Sequence, residues 1–238
     1  MIYVGIDDTD IIGTPGTNQL ARAMLKRLDK AADGAVICRH QLFFDPRVPY
    51  TSKNGSASIQ LPGANGVALD RLIEVLREVM RGWFVAGSDP GLCVAAEVSE
   101  EVKAFGLRCK GEVVTQDEAR ALAARAGCYL EGLGGTEQGV IGALAAIGLV
   151  AGGQDGRVVH LASWPYPDDF SGLHDMAEIQ ARGVADIRQF GFGSPVTLGL
   201  VDVGKRLRPS WRDGRIVLYV VPSTAPEAAA PWSAVKLP

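Results

Sequence analysis

Three carboxylates, Asp7, Asp8 and Asp10, follow directly on the apolar run Tyr3-Val4-Gly5-Ile6. A run of that kind reads as a buried strand, so the acids sit where the strand reaches the surface. Like charges that close repel, and a fold keeps them together where something cationic offsets the cost. Carboxylate oxygens suit Mg²⁺, which takes one or two of them and keeps its other positions for water and phosphate. An acidic turn at a sheet edge, with Asp and Thr serving backbone hydrogen bonds, is the alternative. The motif alone leaves both open.

After the acids comes a glycine-bearing loop, Ile11-Ile12-Gly13-Thr14-Pro15-Gly16, and then a helix expected from Thr17 to about Lys30. Thr17 or Asn18 is the expected N-cap, and Leu20, Ala21, Met24, Leu25 and Leu28 form one apolar stripe. An acidic strand end, a loop and a hydroxyl-bearing helix start make a place where backbone N–H groups could meet an anion. Thr17 is then either a cap or a phosphate contact.

The chain has 238 residues, 47% apolar and 21% charged, which is globular composition with room for one large or two small domains. Its net charge of −3 gives no global basic field, so nucleic acid would need a local patch. Cys38, Cys93, Cys109 and Cys128 stand singly, without zinc-ribbon spacing or a disulfide framework, and read as buried thiols. Early acids interrupt any signal peptide, and the longest apolar stretch is too short to span a bilayer, so a soluble, cytoplasmic protein without a membrane partner is expected. No Walker loop and no GxGxxG occur, and no Ser-His-Asp arrangement can be argued from the isolated His40, His160 and His174.

Strands are expected over 35–44, 55–61 and 92–98, with an amphipathic helix over 67–81, completing a β-α-β-β-α-β order. The second half begins with polar Ser99 to Lys103 and holds a helix over 115–126. Gly139 opens a segment so rich in small residues that it reads as a helix packed tightly on backbone. Further strands are expected over 158–162, 197–203 and 216–221, and the chain from Pro222 on reads as a poorly ordered extension. The expected architecture is α+β with two adjoining lobes: 1–98, kinase-like with a ferredoxin-like order, and 99–222, with 223–238 a tail. The ligand cleft lies between the lobes.

Three segments keep their order in a known family. Gly5-Ile6-Asp7-Asp8-Thr9-Asp10 with Thr17, the loop from Pro46 to Gly55, and Gly139-Val140-Ile141-Gly142-Ala143-Leu144-Ala145-Ala146-Ile147-Gly148 resemble the archaeal tRNA-isoleucine 2-agmatinylcytidine synthetases. A shorter echo is Ser194-Pro195-Val196-Thr197-Leu198-Gly199-Leu200, and the resemblance spans about residues 2–205. It implies an ATP-dependent enzyme that phosphorylates a cytidine carbonyl of tRNA so that agmatine can displace the phosphate, built from a kinase-like and a ferredoxin-like domain. Asp7, Asp8 and Asp10 would hold Mg²⁺ and phosphates, and Thr17 would fall at the phosphoacceptor threonine.

Departures accompany the match. The family's OB-fold and zinc ribbon are not expected here. Thr51-Ser52-Lys53 stands where the family has Lys-Thr-Arg, and Thr136-Glu137-Gln138-Gly139 where it has Asn-Gly-Arg-Gly. Both changes weaken the attraction for an anion.

The reading is a Mg·ATP-dependent phosphotransferase or ligase-like enzyme that activates a small-molecule acceptor, such as one attacked by a cationic amine. Asp8, Thr17 and Lys53 are the expected catalytic residues. Asp7, Asp10, Arg47, Gly135 and Gly139 would bind the nucleotide. Arg47 is favoured because Pro46 makes its loop rigid. The basic cluster Lys205, Arg206 and Arg208 reads equally as a solvated turn or an anion contact. The alternatives are a non-catalytic nucleotide or amine sensor, or one subunit of a split tRNA-modifying enzyme; tRNA binding is not expected without a partner protein.

Overall fold

The structure, a computed structural model, describes residues 1–48, 50, 53–64, 66–161, 170–224 and 230–237. Its first elements are β1 (Ile2–Asp7), α1 (Thr17–Leu28), β2 (Val36–Gln41), β3 (Gly55–Leu61), α2 (Leu69–Arg81) and β4 (Gly91–Ala95). The strands lie in the order β4-β1-β3-β2, every neighbouring pair antiparallel. Alternation along β1 sets the layers: Ile2, Val4 and Ile6 point into a core shared with Leu20, Met24 and Leu28 of α1 and Leu72, Leu76 and Met80 of α2.

The opposite face is covered by α3 (Glu100–Arg108), α4 (Gln116–Arg125) and α5 (Gly139–Ala151), with β5 (Tyr129–Gly132) added beside β4. A side chain at Gly5 would strike the Ala143 carbonyl, and one at Gly91 the Gly139 backbone. On the far side of α5, Gly148 lies against Val102 and Gly106 lies against Ala145 and Leu149. Small residues thus let α5 sit directly on two strands and one helix. Helices α3 to α5, expected in a second lobe, instead complete a three-layer unit around the first sheet.

The polar stretch 99–103, which opens the second half, caps and begins α3. Ser99 accepts from the Val102 N–H at 3.4 Å, and Glu100 and Glu101 occupy the first turn, where the helix dipole favours acids. Thr115 and Glu118 form a capping box at α4.

β6 (Arg157–Leu161) pairs with β2 and carries the sheet into the second half of the chain. There β7 (Leu173–Asp175), α6 (Met176–Ala181), β8 (Asp186–Gln189), β9 (Leu200–Asp202), β10 (Ser210–Arg212), β11 (Arg215–Pro222) and β12 (Trp232–Val235) enclose their own core. The sheet runs β5-β4-β1-β3-β2-β6-β10-β11-β12-β9-β7, with β8 alongside β11. The segment 223–238, expected as a poorly ordered tail, contains β12, which pairs with β11 and β9 and packs Trp232 and Ala234 on the core. Residues 225–229 and 238 of that segment lie outside the described residues.

A polar clamp closes the junction of β2, β3 and β6. His40 is fully buried, with Nδ1 2.8 Å from Asp155 Oδ1 and Nε2 2.8 Å from Ser58 Oγ. Lys110 Nζ lies 2.6 Å from the other Asp155 oxygen. The Ser-His-Asp order that the sequence did not reveal is therefore present, but Ser58 is fully buried and no substrate reaches it. Burial holds the imidazole below its ordinary pKa and hence neutral. No helix among the described residues is long and apolar enough to cross a membrane.

Candidate active site

The carboxyl end of β1 opens into a pocket walled by Thr17 of α1, by Lys53, Asn54 and Gly55 at the start of β3, and by Gln138, Gly139, Ile141 and Gly142 at the start of α5. Leu42, Phe43, Val48, Tyr50 and Val114 supply apolar wall, and Glu112 and Cys109 complete it. Burial pushes the Cys109 thiol up to about 12, so it is not a thiolate nucleophile at neutral pH.

Alternation places Asp7 on the α5 face of β1. Any side chain at position 142 would collide with its carboxylate, so Gly142 is what lets Asp7 lie against the first turn of the helix. Burial, then the neighbouring Asp8, raises Asp7 to about 8. Asp8 is raised to about 6, first by burial and then by Asp89 and Asp10. Its φ of 50° is the left-handed conformation that Asp tolerates, and it turns the chain out of the strand. No cationic side chain among the described residues contributes to either shift.

Asp10 has a different task. The N-cap of α1 is Gly16, which provides no side-chain bond, and Thr17 is the first helical residue rather than the cap. Asp10 Oδ1 fills the role from outside, accepting from the Thr17 N–H at 3.2 Å and from Thr17 Oγ1 at 3.1 Å. Thr9 Oγ1 donates to Thr17 Oγ1 at 3.2 Å, and both threonines are buried. The helix start that could have met an external anion therefore meets Asp10.

Among the described residues no group of three His, Cys, Asp or Glu side chains is placed to hold a metal ion. Asp7, Asp8 and Asp10 all line the pocket, and Asp10 is hydrogen-bonded to the head of α1. Asp7 and Asp8 are a half-buried pair of hard oxygen donors with no cation among the causes of their raised pKa values, which fits Mg²⁺ held by two carboxylates with phosphate and water completing its sphere.

Lys53 and Gly139 both line the pocket. Gly139 is required by backbone packing, since a side chain there would strike the Asp89 carbonyl, to which its N–H donates at 2.9 Å. Gly135 is not in the pocket wall; its φ of 61° forms the turn that brings the Thr136 N–H and Oγ1 to Asp89 at 2.5 and 2.7 Å. Arg47 is also outside the wall. Its guanidinium makes a two-pronged pair with Asp45 of its own loop, at 2.7 and 2.8 Å, and its side chain is 71% exposed. Thr51 and Ser52 of the same loop lie outside the described residues. Asp89 escaped the sequence reading: it precedes β4, and the β1–β4 pairing that joins Asp7 to Gly91 brings it beside the acidic motif.

Fold and site together describe an α+β protein whose acidic pocket opens where its first strand ends. No family model matches the chain. It is homologous to the tRNA(Ile2) 2-agmatinylcytidine synthetase TiaS of Pyrococcus horikoshii, at 27% identity over 152 residues, covering 62% of this chain and 35% of that protein. A crystal structure of a tRNA fluorescent labeling enzyme aligns over 62% of this chain and 35% of its own, with 27% identity and a TM-score of 0.52. A TiaS–tRNA(Ile2)–ATP complex shares the fold with a TM-score of 0.52 and 24% identity over 62% of this chain and 36% of its own. The chain thus spans about a third of the length of these relatives.

Proposed function

We propose that the pocket binds Mg·ATP and transfers a phosphoryl group to an acceptor, activating it for attack by an amine. The half-buried Asp7–Asp8 pair, both carboxyls raised in pKa without a cation beside them, carries this reading. The homologous relative is by name a synthetase that makes agmatinylcytidine in tRNA. The first sheet with α1 and α2 reads as a ferredoxin-like unit, from its β-α-β-β-α-β order and antiparallel β4-β1-β3-β2 arrangement.

Asp7 and Asp8 would hold the metal, which when bound neutralises charge on the phosphates. Lys53 faces the same space and offsets the remaining phosphate charge. Thr17 and Thr9 fix Asp10 at the head of α1 and so keep it from crowding the metal pair. In the first step the γ-phosphoryl passes to a carbonyl oxygen of the acceptor and ADP leaves. In the second an amine nitrogen attacks the activated carbon, phosphate departs, and the nitrogen loses its proton.

A second reading, a nucleotide sensor without turnover, is favoured by Arg47, whose charge is engaged by Asp45 rather than facing the pocket. Phosphate release from ATP, measured with Mg²⁺ against a panel of amines including agmatine, decides between them. Amine-dependent release that is lost in Asp8→Asn supports the enzyme. Saturable Mg·ATP binding without release under any condition supports the sensor.

A further inference from the structure

Asp89 grips the turn that leads from β5 into α5 at two points. Its carboxylate accepts from the Thr136 N–H at 2.5 Å and from Thr136 Oγ1 at 2.7 Å. Its backbone carbonyl accepts from the Gly139 N–H, the first residue of α5, at 2.9 Å. A side chain at Gly135 would strike Asp89 Oδ1 and the Ser88 carbonyl, so glycine is what lets the carboxylate close over the turn. Asp89 is itself held firmly, because the N–H and Oγ of buried Ser88 both donate to the Val85 carbonyl, at 3.0 and 2.7 Å. From the other side α4 braces the same turn: Gln116 Nε2 donates to the Thr136 carbonyl at 2.8 Å, and Arg120 pairs with Glu137 at 2.5 Å.

This outside grip matters because α5 does little to fix its own start. Its N-cap, Gln138, makes no side-chain capping bond, and no acid occupies its first turn. Yet that start carries Gln138, Gly139, Ile141 and Gly142 of the pocket wall, and Gly142 abuts the Asp7 carboxylate. Neither Asp89 nor Thr136 lines the pocket.

We infer that Asp89 is a positioning residue for metal and nucleotide: through Thr136 and Gly139 it sets the first turn of α5 against Asp7 and Asp8. The inference rests on the Mg·ATP reading of the pocket. Partners that orient a metal's carboxylates from outside govern its affinity almost as strongly as the ligands themselves. Asp89 has a second route to the site, since its charge acts on Asp8 through space. The two routes are separable, because Thr136 belongs to the first and carries no charge.

The test is calorimetric titration of Mg·ATP into the full chain as wild type, Asp89→Ala, Thr136→Val, Thr136→Ser and the double variant Asp89→Ala with Thr136→Val. Amide hydrogen exchange over 136–141 is followed in the same proteins without ligand. Asp89→Ala is expected to weaken binding about tenfold, the low end of the loss when such an outer partner is removed. Thr136→Val, which removes only the hydroxyl, is expected to weaken it in the same direction, and Thr136→Ser to restore it. The double variant is expected to bind no more weakly than Asp89→Ala, because both changes break one link. Exchange over 136–141 is expected to quicken in Asp89→Ala and Thr136→Val and to stay near wild type in Thr136→Ser. Wild-type affinity in Thr136→Val, or losses that add in the double variant, would leave Asp89 acting by charge alone and overturn the inference while the Mg·ATP reading stands. A folded wild type that binds no Mg·ATP would remove that reading and the inference with it.

Discussion

A carboxylic acid buried without a cation keeps its proton, and this is the condition of Asp7 at neutral pH. Its pKa rises from 3.8 to about 8 on folding, so between those values the folded chain holds a proton that the unfolded chain has released. Stability therefore falls as pH rises through that window. Asp8 acts in the same direction over a narrower one, up to about 6. Asp7→Asn removes the larger contribution, and its melting temperature is expected to exceed that of the wild type by a margin that grows from pH 5 to about pH 8. A thermal-shift series across that range checks it; parallel profiles for the two proteins contradict the raised pKa of Asp7. At Thr17 the hydroxyl donates to Asp10 and accepts from Thr9, so it is occupied. Thr17→Ala is expected to cost about 1 kcal/mol in denaturant unfolding, with Thr17→Ser near wild type and Mg·ATP binding retained. Labelling of the wild type by γ-phosphate ATP that Thr17→Ala abolishes would instead make Thr17 the phosphoacceptor.

At the scale of the element, α5 does two jobs with the same residue type. Gly142 makes room for the Asp7 carboxylate, whereas Gly148 makes room for the backbone of α3 at Val102. Alanine at either position overpacks the interface and is expected to cost about 1–3 kcal/mol. Only Gly142→Ala displaces Asp7, so it alone is expected to abolish stabilisation by Mg·ATP, read as the ligand-induced change in melting temperature. Loss of that response in Gly148→Ala as well would mean the pocket follows general stability rather than the Gly142–Asp7 contact. The role of α5 was legible because its glycines and alanines fall in one unbroken apolar run. α3 was not, since Glu100 and Glu101 look like a solvated turn until Ser99 is seen to cap them. β7 and β10 have three residues each, too few for alternation to register, whereas β9 falls inside the strand expected over 197–203. The acidic motif showed itself because its members are adjacent in sequence. Asp89 did not, because only the β1–β4 ladder brings it there. The separation of Arg47 from the pocket had a local signal in Asp45, two residues away.

Across the whole molecule, one sheet carries three cores, one on each face of its first part and one in its second, and the β2–β6 ladder joins the two parts. The expectation of two lobes divided near residue 98 missed that the small-residue face of α5 needs β1 and β4 beneath it. The join is secured by His40, Asp155, Lys110 and Ser58. His40 lies below its ordinary 6.5, so its contribution is present above that value and is lost as pH falls beneath it. Asp155 is held below 3.8 by His40 and Lys110 against the opposing effect of burial, and its contribution is lost in stronger acid. Asp155→Ala leaves Lys110 without its anion and His40 Nδ1 without its partner, and is expected to cost about 3 kcal/mol in urea unfolding. A cost near zero would show that the strands hold the halves together without the clamp.

Whether Asp7 and Asp8 receive a cation together with ATP phosphates is tested most directly by calorimetric titration of Mg·ATP into the wild type and Asp8→Asn near pH 8. The wild type is expected to bind saturably and to release protons into the buffer, because the metal displaces those that Asp7 holds. Excess chelator should suppress the binding. Asp8→Asn should keep the fold, melt no lower than the wild type without ligand, and bind Mg·ATP at least tenfold more weakly, a loss of about 1.4 kcal/mol. Equal affinity in the two proteins, or binding indifferent to the chelator, would contradict the assignment of this pocket to Mg·ATP.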